Sequence, residues 1–168
     1  MNIGQNGLDL IKTFEGCCLT AYMPTPHDVP TIGYGHTKGV VMGTSITKAE
    51  ADAFLLDDLE WVEHAISVNV TVPLTQNQYD ALCSFVYNLG ATNFRRSTLL
   101  RKINAGDYVG GGNELLRWNK QKGKTLRGLT RRRKAELTLF MTKDQPKAPT
   151  SFFEALLAII MSLINKKD

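Results

Sequence analysis

Hydrophobic residues recur at helical spacing along most of the chain, but one stretch near the N-terminus breaks this pattern. Residues 5–15 place apolar side chains on one face of a predicted helix, which Gly16 ends. Residues 18–41 instead contain two β-prone runs, CLTAYM and TIGYGHT, separated by the proline-rich segment PTPHDVP. The pattern therefore predicts a short helix followed by a small antiparallel hairpin or three-stranded sheet.

From residue 47 onward the pattern is helical. Thr47 with Glu50 and Thr75 with Gln78 form two capping boxes, which predict one helix to about residue 67 and a second that ends at Gly90. Further helices are predicted over residues 97–105, 112–119 and 130–142. We expect an α+β fold in which a small N-terminal β-hairpin lobe packs against a larger helical lobe, with a cleft between them.

The C-terminal end has a different composition. Residues 144–151 (DQPKAPTS) are typical of a linker between a main domain over residues 1–143 and an apolar helix over 152–168. This helix is too short to span a bilayer, which needs roughly 20 apolar residues. It either packs on the domain or lies in a membrane interface, where Lys166 and Lys167 meet anionic headgroups. Both interpretations stay open.

The distribution of charge and the cysteine content limit which partners and which cellular compartment fit this chain. Residues 1–94 hold three basic and ten acidic side chains, whereas residues 95–168 hold 17 basic and six acidic ones. A basic half favours a polyanionic partner such as nucleic acid, anionic lipid or a cell wall, or serves solubility alone. The three cysteines, Cys17, Cys18 and Cys83, do not form a disulfide framework and are predicted to be reduced and buried. The N-terminus lacks a signal-peptide pattern, so we expect synthesis in a cytoplasm and another route out of the cell.

Glu15 is the first candidate for chemistry. A carboxylate at a helix C-terminus faces the negative end of the helix dipole, which disfavours its ionised form. We expect burial between the two lobes to add to this effect, as a general acid requires. On position alone, a surface glutamate at a helix end is the commoner arrangement.

The loop and strand that follow offer further polar groups. Asp28 and Thr31 are the side chains best placed to reach a cleft from the hairpin, unless they only cap the loop. His36 resembles a hydrogen-bonded structural histidine, because no other metal-type ligand stands near it, and Tyr34 is more typical of a core aromatic than of a sugar platform. We therefore expect no metal and no cofactor.

The segments EGCCLTAY, TIGYGHT, LTQNQYDALCSFVYNLG and RWNKQKGKTLRGLTRRRKAE resemble, in order, those of the phage lysozyme family, glycoside hydrolase family 24, which includes the lysozymes of T-even phages. The resemblance covers residues 5–142. It implies a lysozyme-like fold and an endolysin that hydrolyses the β-1,4 bond between N-acetylmuramic acid and N-acetylglucosamine in peptidoglycan. It also implies that Glu15 is the acid and that Thr31 helps to hold the attacking water. One arginine is expected to pair with the glutamate; Arg132 is preferred, and Arg131 and Arg133 are close rivals. Tyr34 and His36 are expected to support substrate binding.

One position departs from the family motif of Glu, eight residues, Asp or Cys, five residues, Thr. Pro24 stands nine residues after Glu15, and Thr31 comes sixteen after it, so the loop is one residue longer. Asp28, the only carboxylate in the loop, is our preferred replacement, because a second carboxylate favours glycoside hydrolysis. Otherwise Thr31 and backbone groups alone hold the water, or the chain is inactive.

We expect a monomer that is made in the host cytoplasm and acts on the wall after release. Three other activities remain alternatives. A lytic transglycosylase would cleave the same bond without adding water, and a membrane-active lytic protein would act through the C-terminal helix. The basic helix around Arg132 also fits a nucleic-acid-binding module, but no DNA-binding motif accompanies it, so no nucleic-acid partner is expected.

Overall fold

A computed structural model describes residues 1–144 of the chain. Its helices are α1 (Gln5–Glu15), α2 (Lys48–Asn69), α3 (Gln76–Leu89), α4 (Ala91–Arg95), α5 (Thr98–Asn104), α6 (Tyr108–Glu114) and α7 (Arg127–Met141), with a 3-10 turn at Leu115–Arg117. Its strands are β1 (Cys18–Tyr22), β2 (Thr31–Gly33), β3 (Lys120–Gln121) and β4 (Lys124–Thr125). The described residues therefore form an α+β fold with a helical majority, as the sequence predicts.

The N-terminal lobe is built on the antiparallel pair β1–β2. Cys18 pairs with Gly33 and Tyr22 with Thr31, and the register shifts between these two pairs. After β2 the backbone turns back at once, because the Ile32 and His36 backbones exchange two hydrogen bonds of 2.9 Å. Gly35 has a φ of 103°, which L side chains rarely adopt, so this turn favours glycine. The tight turn carries Tyr34 and His36 toward the helical lobe.

The two predicted capping boxes are confirmed. Thr47 and Thr75 each accept a hydrogen bond from the backbone N–H three residues on, and Glu50 and Gln78 bond back to the capping residue. Gly90, with φ of 83°, follows the last residue of α3. These local signals fix where α2 and α3 begin, and therefore where their side chains lie relative to the cleft.

Helix α3 lies at the centre of the core and packs against α1, α2 and α7. Its side chains from Tyr79 to Val86 are all buried. Asp80, which is fully buried, accepts hydrogen bonds from the backbone N–H groups of Gly4 and Gly7 at 2.8 and 3.0 Å. This carboxylate satisfies the free donors at the start of α1 and anchors that helix on α3. The anchored helix then carries Glu15 at its other end.

Some expectations from the sequence are wrong or need new boundaries. Helix α4 and the β3–β4 hairpin were not predicted, and two short helices lie over 98–104 and 108–114, followed by the 3-10 turn at 115–117, where 97–105 and 112–119 were expected. Cys17 and Cys18 are exposed and not buried, because Cys17 precedes β1 and Cys18 begins it, at the exposed end of the strand; Cys83 is buried as expected. All three are free thiols.

The C-terminal predictions lie almost entirely outside the described residues. The proposed linker over 144–151 is represented only by Asp144, and the apolar helix over 152–168 is not described. Asp144 accepts hydrogen bonds from the backbone N–H groups of Gln76 and Asn77, at 2.7 and 2.9 Å. The end of the described chain is thus fastened to the N-terminus of α3. Across residues 1–144, no helix combines the length and apolar character needed to cross a membrane.

Candidate active site

A cavity of about 340 Å³ opens between the β-hairpin lobe and the helical lobe. Three parts of the chain meet there: the end of α1, the turn after β2, and the facing sides of α2 and α3. Its lining residues are Glu15, Tyr34, Gly35, Thr37, Asp58, Trp61, Tyr87 and Asn88. A second cavity of about 330 Å³, on the α7 side, shares Glu15 and Asn88 with it. Glu15 therefore lies where the two cavities meet, at the middle of an open groove.

Glu15 is the last residue of α1, and Gly16 ends the helix there with φ of 71°. The side chain keeps 24% of its surface exposed. The expectation that Glu15 is buried between the lobes is therefore wrong. The side chain faces the open groove, where a carboxyl group can reach a bound polymer and exchange protons with it. The position, and not burial, is what makes Glu15 available for chemistry.

Arg132 forms the predicted ion pair with Glu15. Its Nη1 donates to Glu15 Oε1 at 2.6 Å, its Nε donates to Glu136 Oε1 at 3.2 Å, and its Nη2 donates to the Ser84 carbonyl at 3.1 Å. The arginine side chain is buried and bridges α1, α3 and α7 through these bonds. A guanidinium bound on three sides has little freedom, so it holds the Glu15 carboxylate in one orientation.

Arg132 lies next to two fully buried charged residues of α7, Arg133 and Glu136. Glu136 Oε1 accepts from Arg133 Nη2 and from Ser84 Oγ, both at 2.8 Å, while Arg133 Nη2 also donates to Asn88 Oδ1 at 3.0 Å. Burial raises the pKa of Glu136, and the two arginines oppose that shift. Burial lowers the pKa of Arg133 to about 10, which leaves it charged at neutral pH. The cluster is thus a buried positive centre that faces the single carboxylate of Glu15.

The other two predicted catalytic residues lie away from the lining of this groove. Asp28 is exposed in the loop over 23–30, where its backbone N–H donates to the Thr25 carbonyl at 3.1 Å. Thr31 is buried at the start of β2, and its hydroxyl donates to the Val29 carbonyl at 3.0 Å. Neither is among the described residues that line the cavities at Glu15. Their catalytic roles stay predictions.

Tyr34 and His36 flank the turn after β2. Tyr34 lines the groove, its ring is buried, and its hydroxyl bonds to the Lys48 ammonium group. His36 Nδ1 lies 2.9 Å from an Asp58 carboxylate oxygen, and its Nε2 lies 2.9 Å from the Lys38 carbonyl. Its ring stacks on Phe54 with centroids 4.5 Å apart. His36 is therefore held as a structural histidine, and it positions Asp58 at the cavity wall.

Several residues of the site were missed from the sequence, among them Tyr87 and Asn88 on α3. Asp58 and Trp61 are one turn apart on α2, and both line the cavity. They were missed because the apolar spacing of that helix identifies only the side that packs in the core. Glu136 follows a run of four basic residues and has the spacing of an exposed salt-bridging residue, yet it is fully buried. The i, i+3 spacing of Asp58 and Trp61 was the one signal that could have indicated a shared face.

No group of three or more histidine, cysteine or acidic side chains within residues 1–144 is arranged to hold a metal ion. The groove offers the Glu15 carboxyl group, a fixed arginine, and aromatic and amide side chains. Such a constellation suits acid catalysis on an uncharged polymer that lies across an open cleft.

The family model for phage lysozyme matches residues 12–136, which is well over half of the chain. The chain therefore belongs to the phage lysozyme family. The endolysin of Acyrthosiphon pisum secondary endosymbiont phage 1 is 48% identical to it over 144 residues, which cover 83% of this chain and 98% of that protein.

Two solved structures resemble the described fold over nearly their whole length. A variant of P22 lysozyme superposes with a TM-score of 0.79 at 41% identity, covering 84% of this chain and 99% of its own. The muramidase domain of SpmX from Asticaccaulis excentricus also gives 0.79, at 38% identity and the same coverage of both chains. The lysozyme-like fold predicted from the sequence is thereby confirmed.

Proposed function

We propose that this member of the phage lysozyme family is an endolysin that hydrolyses the β-1,4 bond between N-acetylmuramic acid and N-acetylglucosamine in peptidoglycan. The observation that carries this proposal is Glu15, partly exposed in the middle of the groove and paired with Arg132 at 2.6 Å. Membership of glycoside hydrolase family 24, together with the T-even lysozymes, is part of the same proposal.

In the proposed reaction Glu15 donates its proton to the glycosidic oxygen as the bond to the anomeric carbon breaks. Water then adds to that carbon, and its proton leaves to a base, so that both products carry free hydroxyl groups. Thr31 is proposed to orient the water. Arg132 acts as a positioning residue, because it fixes the carboxylate through the bonds described above.

Two residues are candidates for the second carboxylate of this mechanism, Asp28 and Asp58. Asp28 is our candidate, because it is the only acid in the loop where the family motif places one and where Pro24 stands in this chain. Asp58 is the rival that the structure supplies, because it lines the cavity with Glu15. Against Asp58, both of its oxygens lie within 3.0 Å of His36 Nδ1, so it is already engaged.

The remaining parts of the proposal concern the whole chain. Residues 1–143 are taken as the catalytic domain, with glycan strands as the partner, in a monomer that needs no cofactor and binds no nucleic acid. The enzyme is made in the host cytoplasm and reaches the wall after release. Contact of the apolar C-terminal segment with a membrane is an additional hypothesis that a leakage assay on the full chain can test.

Product mass spectrometry on purified peptidoglycan tests the reaction itself. Hydrolysis predicts muropeptides with a free reducing end, whereas a lytic transglycosylase yields anhydro sugars lighter by one water. The Glu15→Gln protein is the matched control and should release neither product. Anhydro products from the unaltered chain would show that the enzyme is a lytic transglycosylase and not a hydrolase. Lysis of cells without any soluble muropeptide would favour a membrane-active protein.

A further inference from the structure

An apolar cavity of about 200 Å³ lies on the helical lobe, and it shares no lining residue with the two cavities at Glu15. The end of α2 and the loop that leads into α3 form most of its wall. Its lining residues are Met1, Ile66, Ser67, Val70, Val72, Pro73, Leu74 and Tyr79. None of these described residues has a charged side chain, so the cavity is suited to apolar side chains.

Hydrogen bonds hold the wall of this cavity in place. The Ile3 backbone N–H donates to Glu63 Oε1 at 2.6 Å, and Gln76 Nε2 donates to the Asn2 carbonyl at 3.0 Å. Both bonds fix the N-terminal segment against α2 and α3, so the cavity is a preformed part of the helical lobe. Met1 nevertheless keeps 62% of its surface exposed, which leaves apolar surface at the cavity in contact with solvent.

Tyr79 contributes a polar group without a partner to this apolar cavity. The residue is only 4% exposed, and its hydroxyl has no hydrogen-bond partner among residues 1–144. Burial raises the pKa of Tyr79, so the hydroxyl keeps its proton at neutral pH and can donate it to an acceptor. Since buried polar groups are normally hydrogen-bonded, this hydroxyl indicates that a further group binds here. A backbone carbonyl of a chain segment packed in the cavity would be a suitable acceptor.

The C-terminal part of the chain includes a strongly apolar segment. Residues 152–165 (FFEALLAIIMSLIN) lie outside the described residues, and eleven of them are apolar, whereas only Glu154 is charged. Exposure of so many apolar side chains to water is unfavourable. We therefore expect this segment to bury its apolar side chains against an apolar surface.

The described chain ends close to the cavity. Asp144 accepts from the backbone N–H groups of Gln76 and Asn77, and Gln76 is two residues from Leu74, which lines the cavity. Two residues span at most about 7 Å, and residues 145–151, which precede the apolar segment, span at most about 25 Å when extended. The apolar segment can therefore reach the cavity without any change in the described fold.

We propose that residues 152–165 bind in this cavity of the same molecule, with large apolar side chains inside it and a backbone carbonyl that accepts from Tyr79. The bound segment covers the apolar surface around Met1 and removes its own apolar side chains from water. The membrane contact raised above would require the segment to leave the cavity. This inference does not depend on the proposed glycosidase activity, because neither the cavity nor the segment contributes to the groove at Glu15.

A spin label on Asn165→Cys in the full-length chain tests where the segment lies. Cys17→Ser and Cys18→Ser remove the two exposed thiols, whereas Cys83 is protected from the label by burial. The label should broaden the NMR amide signals of the cavity residues and leave those of the β-hairpin lobe sharp. Sharp signals at the cavity, or equal broadening over both lobes, would overturn the proposal.

A variant of the cavity separates binding from mere attachment to Asp144, which also keeps the label nearby. Val72→Asp places a charge in the apolar cavity and should release the segment, so most of the broadening should be lost. Val41→Asp is the matched control, because Val41 is an exposed apolar residue of the other lobe, and it should keep the broadening. Unchanged amide shifts outside the cavity show that Val72→Asp retains the fold. Equal broadening in Val72→Asp and the control overturns the proposal.

A mixed sample separates binding within one molecule from binding between two copies. Isotope-labelled chain without a spin label is mixed with an equal amount of spin-labelled chain that carries no isotope. Binding within one molecule predicts that the isotope-labelled cavity signals stay sharp. Broadening of those signals in the mixture would assign the cavity to a second copy of the chain and contradict the proposal.

Discussion

Arg132 and Glu15 are separated by 117 residues along the chain, yet their side chains meet in an ion pair of 2.6 Å. The pair joins the end of α1 to α7 across the groove, and the same guanidinium also binds Ser84 and Glu136. The candidate acid is thus oriented by a side chain that is itself held by the core. This arrangement makes the geometry of the active carboxyl group depend on the packing of the helical lobe.

Arg132→Lys should therefore lower kcat by about a hundredfold. A lysine ammonium group cannot make the three bonds of the planar guanidinium, so Glu15 would be misplaced, and the reaction rate falls steeply when a catalytic group is misplaced. Turnover of glycan strands measures the effect. Arg101→Lys, at an exposed position on α5, is the matched control and should keep the parental kcat. Parental kcat in Arg132→Lys would show that orientation of Glu15 does not depend on the fork.

Glu136→Gln should strongly reduce the free energy of unfolding, by about 3–5 kcal/mol, because it leaves two buried arginines without their shared carboxylate. Ser84→Ala removes only one hydrogen bond to the same oxygen and should cost about 1 kcal/mol. Denaturant unfolding of both variants, compared with the parent chain, measures the difference. Equal stabilities for the parent and Glu136→Gln would contradict the role assigned to the cluster.

Asp144→Asn tests the fastening of the chain end to α3. Backbone hydrogen bonds from Asn77 and Gln76 lower the pKa of Asp144 below its usual 3.8. A lowered pKa contributes stability above the unfolded value that is lost as the pH falls through the folded value. The variant should therefore lose roughly 0.5–1 kcal/mol at pH 7 and nothing well below pH 3. Denaturant unfolding at both pH values checks this. A loss of unfolding free energy in Asp144→Asn that persists in acid would contradict the prediction.

The choice between two carboxylates is tested by three matched amide substitutions. Asp28→Asn should lower kcat at least about a hundredfold if Asp28 takes the second catalytic role. Asp58→Asn should leave kcat within about tenfold while reducing stability, because Asp58 holds His36. Asp57→Asn, on the exposed side of the same helix, should change neither. Full activity in Asp28→Asn together with inactivity in Asp58→Asn would reverse the assignment.

Local signals in the sequence were sufficient for the long elements, whereas Glu15 was proposed as the acid through the family resemblance. The capping residues Thr47 and Thr75 specify the starts of α2 and α3 through bonds within one turn, so no tertiary contact is needed to predict them. The pairing of Arg132 with Glu15 was available only through the family resemblance, because nothing local connects residues so distant.

The parts that sequence reasoning missed depend on tertiary contacts. Glu136 has the pattern of a solvated charge, and it is buried only because Ser84 and Arg133 satisfy it from two helices. Helix α4 and the β3–β4 strands are a few residues long, so hydrophobic periodicity cannot detect them. Trp61 and Asp58 belong to the polar side of α2, and periodicity does not indicate which part of that side faces a cavity.

The measurement that tests the account most directly is muropeptide release from purified peptidoglycan by the Glu15→Gln protein. Glutamine preserves the size of the side chain and keeps one oxygen that can accept from Arg132, but its amide has no acidic proton to transfer to the glycosidic oxygen. The account predicts a loss of at least about a thousandfold in rate, with parental thermal stability within a few degrees. Release at the parental rate would contradict it.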